Sequence, residues 1–124
     1  MNTLLRAIPL LWLGLLGHLA HAQLLSQAAL DSTKEFYSIA SALKEPDKVY
    51  RLQLTKKKYK TLPEEIRQFK NLNALDVGKN KLKELPAWLG ELKYMQEFHA
   101  PQNKFREMPA VICQWPHLKR LDLH

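Results

Sequence analysis

Residues 72–92 read LNALDVGKNKLKELPAWLGEL and decide the fold, because their pattern recurs along the chain. The pattern is L-x-x-L-x-L-x-x-N-x-L-x-x-L-P-x-x-I-x-x-L. Val49, Leu72, Met95 and Leu118 each begin a copy, so the repeat is 23 residues long and keeps its register. A fixed period of this size is typical of a solenoid, in which each unit buries its apolar face only against its neighbours. It indicates a binding surface rather than a catalytic pocket.

Three copies are complete, and a fourth stops at His124. The second copy matches the pattern at every apolar position, at the asparagine and at the proline. In the first copy, Lys57 stands where the later copies have Asn80 and Asn103. Because the fourth copy ends in an uncapped strand, we expect the sequence to be a fragment or a truncated reading frame.

Residues 49–124 resemble the leucine-rich repeat family, in the short 23-residue class whose convex segment reads L-P-x-x-I. The resemblance implies an α/β repeat solenoid, with short parallel strands on a concave face and a mostly irregular convex side. The L-x-L alternation turns the leucines inward. It predicts four strands, near 51–54, 74–77, 97–100 and 120–123.

The asparagine of each repeat has a structural role in this family, where it stacks into a ladder that satisfies buried backbone groups after the strand. The resemblance assigns this role to Asn80 and Asn103. Lys57 cannot accept hydrogen bonds. We therefore expect the ladder to begin at the second repeat and Lys57 to point into water.

Residues 1–22 read as a secretory signal peptide. Arg6 precedes a leucine-rich run over residues 7–19, and Ala20-His21-Ala22 forms a small-x-small cleavage site before Gln23. The run is shorter than the about 20 apolar residues of a membrane span, although an uncleaved anchor is the alternative. We expect an exported protein that is secreted, periplasmic or on the cell surface, with no membrane span after cleavage.

Residues 23–48 are predicted to be a lead-in followed by an N-terminal capping helix. Ser32 and Glu35 have the spacing of a capping box, with Ser32 as N-cap. Pro46 ends the helix near Lys44. The helix would cover the exposed edge of the first repeat, although a partner-binding helix is the alternative. Its predicted apolar face consists of Phe36, Ile39, Ala40 and Leu43.

Cys113 is the single cysteine of the chain, so a disulfide within it is excluded. Animal extracellular relatives usually carry cysteine-rich caps, and their lack here favours a bacterial source, as an inference from the resemblance. We expect Cys113 to be half-buried on the convex side, with a pairing partner beyond His124 as the alternative. The sequence has no glycine-rich phosphate loop and no G-x-S-x-G elbow. We predict no catalytic residue, no cofactor and no enzyme.

The concave face is the predicted partner-binding surface, because the outward strand positions carry function in this family. His99 should lie between Asp76 and Asp122, which favours its protonated form. An Asp-His-Asp metal site would lack closure and a second shell, so no metal is predicted. Solvated cross-strand pairing is the bland alternative. The predicted partner-binding residues are Arg51, Gln53, Asp76, Glu97, His99, Arg120 and Asp122.

A basic rim follows the strands and is the competing site. Cleavage of the signal peptide leaves 18 Lys and Arg against 12 Asp and Glu, a net charge of +6. Such a rim can attract lipid phosphates or acidic glycans, although Glu84 and Glu107 partly neutralise it. The candidate polyanion-binding residues are Lys56, Lys58, Lys60, Lys79, Lys81, Lys83, Lys104 and Arg106.

These observations predict an exported, non-enzymatic protein-binding module that uses its concave face. The alternatives are a recognition fragment of a larger catalytic or surface protein, a structural envelope or adhesion component, and polyanion binding through the basic rim. A protein partner is expected, and a cell-surface component is a further candidate. Intracellular nucleic acid is not expected as a partner of an exported chain.

Overall fold

The computed structural model describes residues 24–124; the predicted signal peptide lies outside them. Their five strands form one parallel sheet in chain order. The strands are β1 (Glu35–Phe36), β2 (Arg51–Gln53), β3 (Ala74–Asp76), β4 (Glu97–His99) and β5 (Arg120–Asp122). The repeat therefore does build a solenoid of parallel strands, and β2 to β5 lie where the L-x-L alternation predicts them.

The register of the sheet keeps equivalent residues of successive repeats side by side. Leu52 pairs with Leu75, Leu75 with Phe98, and Phe98 with Leu121. The first three of these side chains are at most 1% exposed. A slip of one residue would turn the whole apolar set to solvent, so burial fixes the register. The last rung is less protected, since Leu121 is 38% exposed.

The convex side carries one short helix in each complete repeat. Each L-P-x-x-I segment forms a short 3₁₀ helix, at Glu64–Gln68, Ala87–Glu91 and Ala110–Gln114. The proline before each one is extended and serves as its N-cap, a position that needs no amide donor. The remaining residues of 54–73, 77–96 and 100–119 form neither helix nor strand, so the convex side is mostly irregular as predicted and regular only at these three segments.

The asparagine ladder forms as predicted. Asn80 makes five hydrogen bonds, donating to the carbonyl oxygens of Leu54, Val77 and Gly78 and accepting from the amides of Lys57 and Tyr59. Asn103 repeats the arrangement one rung later, where its Oδ1 accepts from the amide of Leu82 at 3.0 Å. The Lys57 side chain is exposed, as expected.

The N-terminal region corrects the predicted capping helix. It contains two short helices, α1 (Gln27–Ser32) and α2 (Ile39–Ala42), with β1 between them. Ser32 is not an N-cap. Instead it ends α1, and its hydroxyl donates to the carbonyl oxygen of Ala29 at 2.8 Å. Ser26 and Ser38 are the N-caps, and their hydroxyl oxygens accept from amides three residues on.

Tertiary pairing explains why the capping-box pattern fails. Glu35 and Phe36 pair in parallel with Arg51 and Leu52, so they extend the sheet by one rung. Phe36 is 2% exposed and joins the core. The free edge of β2 is thus covered by a strand and not by the single amphipathic helix that we predicted.

Trp115 and Cys113, at the last convex segment, differ in their burial. Trp115 is 4% exposed, its ring centroid lies 5.1 Å from that of Phe98, and its indole N–H donates to the carbonyl oxygen of Leu89 at 3.1 Å. Cys113 is exposed, so the prediction of a half-buried position is wrong. Within residues 24–124, no helix is long and apolar enough to cross a membrane.

Candidate functional site

The seven predicted partner-binding residues lie on one face of the sheet. Each is the first or third residue of its strand, and the middle residue points into the core. The register places them in two columns, which are Arg51, Ala74, Glu97 and Arg120, and Gln53, Asp76, His99 and Asp122. The sequence therefore predicted the composition of both columns correctly.

Arg51 is engaged by the N-terminal region. Its guanidinium lies 3.4 Å from the carboxylate of Glu35 on the neighbouring strand. It also donates to the carbonyl oxygens of Asp31 at 3.4 Å and Thr33 at 3.3 Å. Arg51 thus holds the end of α1 against the sheet and is less available to a partner than its position in the sequence suggested.

Glu97 is the acidic centre of the first column. Its carboxylate lies 3.2 Å from Arg120 on β5 and accepts a 3.0 Å hydrogen bond from the side-chain amide of Gln27 on α1. Only 15% of its side-chain surface is exposed. A second oxygen lies 3.9 Å from Nε2 of His99. This carboxylate therefore links the N-terminal region to both columns.

His99 is flanked by Asp76 and Asp122 in the sheet register, as predicted. These two carboxylates also accept hydrogen bonds from the backbone amides two residues on, those of Gly78 at 2.9 Å and His124 at 3.1 Å. The His124 backbone amide is the main reason why the pKa of Asp122 is lowered; the rings of His124 and His99 add to it. The second column therefore offers a histidine between two carboxylates, and Glu97 of the first column adds a third carboxylate 3.9 Å from its ring.

Sequence reasoning missed two buried amides at the start of the strands. Asn73 and Gln96 immediately precede β3 and β4, and they are 0% and 1% exposed. Gln96 Nε2 lies 2.6 Å from Asn73 Oδ1. The available signal was a polar amide at the same repeat position in two successive copies, directly after the first apolar residue of each, which is Leu72 or Met95.

The basic rim lies where the turns predict it, and its eight cations are all exposed. Adjoining turns are stacked, since the Lys81 amide donates to Tyr59 at 2.8 Å and the Lys104 amide donates to Leu82 at 2.7 Å, both through carbonyl oxygens. Among the described residues, none of the eight forms a salt bridge with Glu84, Glu107 or another carboxylate. The expected partial neutralisation involves no direct contact, and the rim is left as an unpaired line of positive charge.

Two further features bear on chemistry. A cleft of about 750 Å³ lies beside the rim, between the second and third convex segments, and its lining includes Leu85, Met108 and Pro109. In the part of the chain that the structure describes, no three His, Cys, Asp or Glu side chains are grouped as metal ligands. The described geometry thus offers open surfaces for binding.

Comparison with known proteins shows a likeness to solved structures. No family model matches the chain, and no curated protein matches it. The chain is similar to a solved structure of a leucine-rich repeat protein from Leptospira interrogans, at 26% identity and a TM-score of 0.36. The match covers 73% of this chain and 35% of that one. The chain therefore spans about a third of the length of the protein it resembles.

Proposed function

We propose that this protein is an exported, non-enzymatic module that binds a protein partner through its concave face. The observation that carries the proposal is the in-register sheet, which brings seven polar and charged side chains from four strands onto one surface. Such a face presents many side chains on a rigid backbone, as repeat proteins do when they bind partners. The 23-residue repeat, read as a short leucine-rich repeat, supports the same class of function.

The structure favours the second column as the centre of this surface. Arg51 and Glu97 are engaged by the N-terminal region, whereas Gln53 and His99 lie at the other end of their strands. His99 is 35% exposed at its side chain and has carboxylates around it. A partner with a complementary donor or cation would meet the carboxylates of Asp76 and Asp122 on either side of this imidazole.

The test is comparative partner capture followed by affinity measurement. Wild-type protein, His99→Ala and Gln53→Ala are immobilised as baits, and a partner retained by the wild type is identified and titrated against each. We expect an affinity loss of about tenfold in either variant. Lys93→Ala is the matched control, because Lys93 is exposed on the convex side, away from both columns. Unchanged affinity in the two concave variants would refute the proposal.

A second candidate function is polyanion binding through the basic rim. The supporting observation is a difference in salt-bridge formation between the rim cations and three arginines elsewhere in the described residues. Arg51, Arg67 and Arg120 all form salt bridges, whereas the eight rim cations form none among residues 24–124. Unpaired cations in stacked turns create a sequence-independent attraction for phosphate or sulfate groups, and that attraction weakens with salt.

Heparin and vesicles with anionic lipids are the probes for the rim. The double variant Lys58→Glu with Lys81→Glu should elute from heparin at lower salt and should no longer sediment with the vesicles. The control is Lys70→Glu with Lys93→Glu, which changes net charge equally at exposed convex positions. Equal elution of both double variants would show that net charge and not the rim decides binding. If the rim variant abolishes partner binding while His99→Ala preserves it, the concave face is not the partner site.

A third reading makes this chain the recognition part of a larger catalytic or surface protein. Sequencing the gene past the codon for His124 tests it directly. Further repeats and a cap favour an independent module, and a catalytic domain favours the recognition fragment. Export is tested separately, by locating the protein in cell fractions and determining whether the mature chain begins at Gln23.

A further inference from the structure

The buried amides at the strand starts hold a stretch of peptide backbone. Asn73 Oδ1 accepts a 3.2 Å hydrogen bond from the amide of Leu25, and Gln96 Nε2 donates a 2.7 Å hydrogen bond to the carbonyl oxygen of the same residue. Both backbone groups of Leu25 are thus satisfied by side chains from two successive rungs. Since the two amides also contact each other at 2.6 Å, they form one unit, the amide pair.

The backbone held there belongs to the N-terminal segment, residues 24–33. From the amide pair the segment continues through α1 toward Arg51 and β1. Leu25 and Gln27 contact the starts of β3 and β4, and Asp31 contacts the start of β2. Two residues after Leu25, the side-chain amide of Gln27 donates to the carboxylate of Glu97. The site therefore recognises one residue by its backbone N–H and C=O. It also recognises a hydrogen-bond donor on the side chain two positions later.

The N-terminal segment is attached by few apolar contacts. Leu30, at 1% exposure, is its one buried side chain, and it lies outside the apolar cluster that runs through the repeats. The other side chains of residues 24–33 are half-buried or exposed. Segments with few buried apolar contacts open at a lower free energy than the core beneath them. The amide pair can therefore be vacated without unfolding the solenoid.

We propose that the amide pair is a binding site for a peptide whose bound residue precedes a helical turn; residues 24–33 occupy the site as an intramolecular ligand, and an external peptide can replace them. An amide side chain offers one acceptor and two donors, which match the N–H and C=O of any residue other than proline. Glu97 selects a donor or cationic side chain two residues later. The site adjoins the proposed partner surface around Gln53 and His99 and shares Glu97 with it, and it adds a second recognition mode to the same sheet.

The test uses the full chain and an acetylated peptide of residues 23–33, QLLSQAALDST, with a fluorescent label. Leu30→Ser removes the one buried anchor of the intramolecular segment and leaves the amide pair unchanged. We expect this variant to bind the peptide at least about tenfold more tightly than the wild type, because the competing segment is loosened. The matched control peptide carries N-methyl leucine at the position of Leu25, which lacks the N–H that Asn73 accepts. It should bind about tenfold more weakly than the parent peptide.

Every outcome of these measurements either supports or overturns the proposed peptide site. No binding by Leu30→Ser, equal binding of the two peptides, or equal affinity of wild type and variant overturns the proposal. Global unfolding of Leu30→Ser, seen by circular dichroism, also overturns it, because the segment would then be part of the cooperative core. Hydrogen exchange gives an independent measurement. The amide of Leu30 should exchange faster than that of Leu75, and equal protection would contradict a separable segment. No partner protein is needed, so failure here is distinct from failure of the proposed function.

Discussion

Replacement of Asn80 by alanine should be among the most damaging single changes at the surface turns. The substitution removes the whole side-chain amide and with it five hydrogen bonds. Two of the three carbonyl acceptors keep a second donor, from Asn103 and from a backbone amide. The carbonyl of Leu54 loses its side-chain donor inside the solenoid, and the amides of Lys57 and Tyr59 lose their acceptor near the surface.

The expected magnitude follows from these three groups. A buried group left unsatisfied costs about 1–3 kcal/mol, and a hydrogen bond replaced by water costs about 0.5–1.5 kcal/mol. One buried carbonyl and two amides that water can reach give a loss of about 3 kcal/mol. Urea denaturation followed by tryptophan fluorescence measures it. With a slope of about 2 kcal/mol per molar, the midpoint should fall by about 1.5 M.

Lys57→Ala is the matched control, because Lys57 occupies the equivalent position of the preceding repeat and is exposed. It should change the free energy of unfolding by no more than about 0.5 kcal/mol. Asn103→Ala should resemble Asn80→Ala, with a somewhat smaller loss because Asn103 is only half-buried. Equal midpoints for the three variants would refute the ladder as a source of stability.

Three further predictions concern Gly78, Tyr59 and His99. Gly78→Ala should destabilise by about 1 kcal/mol in the same urea assay, because its new Cβ would lie 3.0 Å from the ring of Pro101, closer than packed side chains tolerate. Burial, and then the charge of Glu65, raise the pKa of Tyr59, so the folded state favours its neutral form. This contribution to stability is present below about pH 10 and is lost as the pH rises through the raised pKa. The melting temperature of Tyr59→Phe should therefore fall less steeply at alkaline pH than that of the wild type. An identical fall in the two proteins would contradict this role of Tyr59. Partner affinity should fall by about tenfold in His99→Gln, because the side chain of His99 is 35% exposed at the centre of the second column; an unchanged affinity in this variant would place the partner contact elsewhere.

The repeat made most of the solenoid predictable from sequence alone. A constant spacing of 23 residues fixes which side chains share a column, since only one register keeps Leu52, Leu75 and Phe98 inward together. The same spacing assigns the ladder role to Asn80 and Asn103. Each assignment is made within one repeat and applies to the next repeat at the same spacing. An error in one repeat therefore does not shift the assignments in the others.

The N-terminal segment was decided only by the tertiary structure. The capping-box residues Ser32 and Glu35 obey a helix rule locally, but Glu35 gains a strand partner in Arg51, and this pairing outweighs the local preference. The hydrogen bonds that place Leu25 on Asn73 and Gln96 span 48 and 71 residues. Such contacts leave no period in the sequence, because they join a unique segment to the repeats. The chain alone therefore specified the columns of the sheet, and the folded structure decided which of their residues the N-terminal segment already holds.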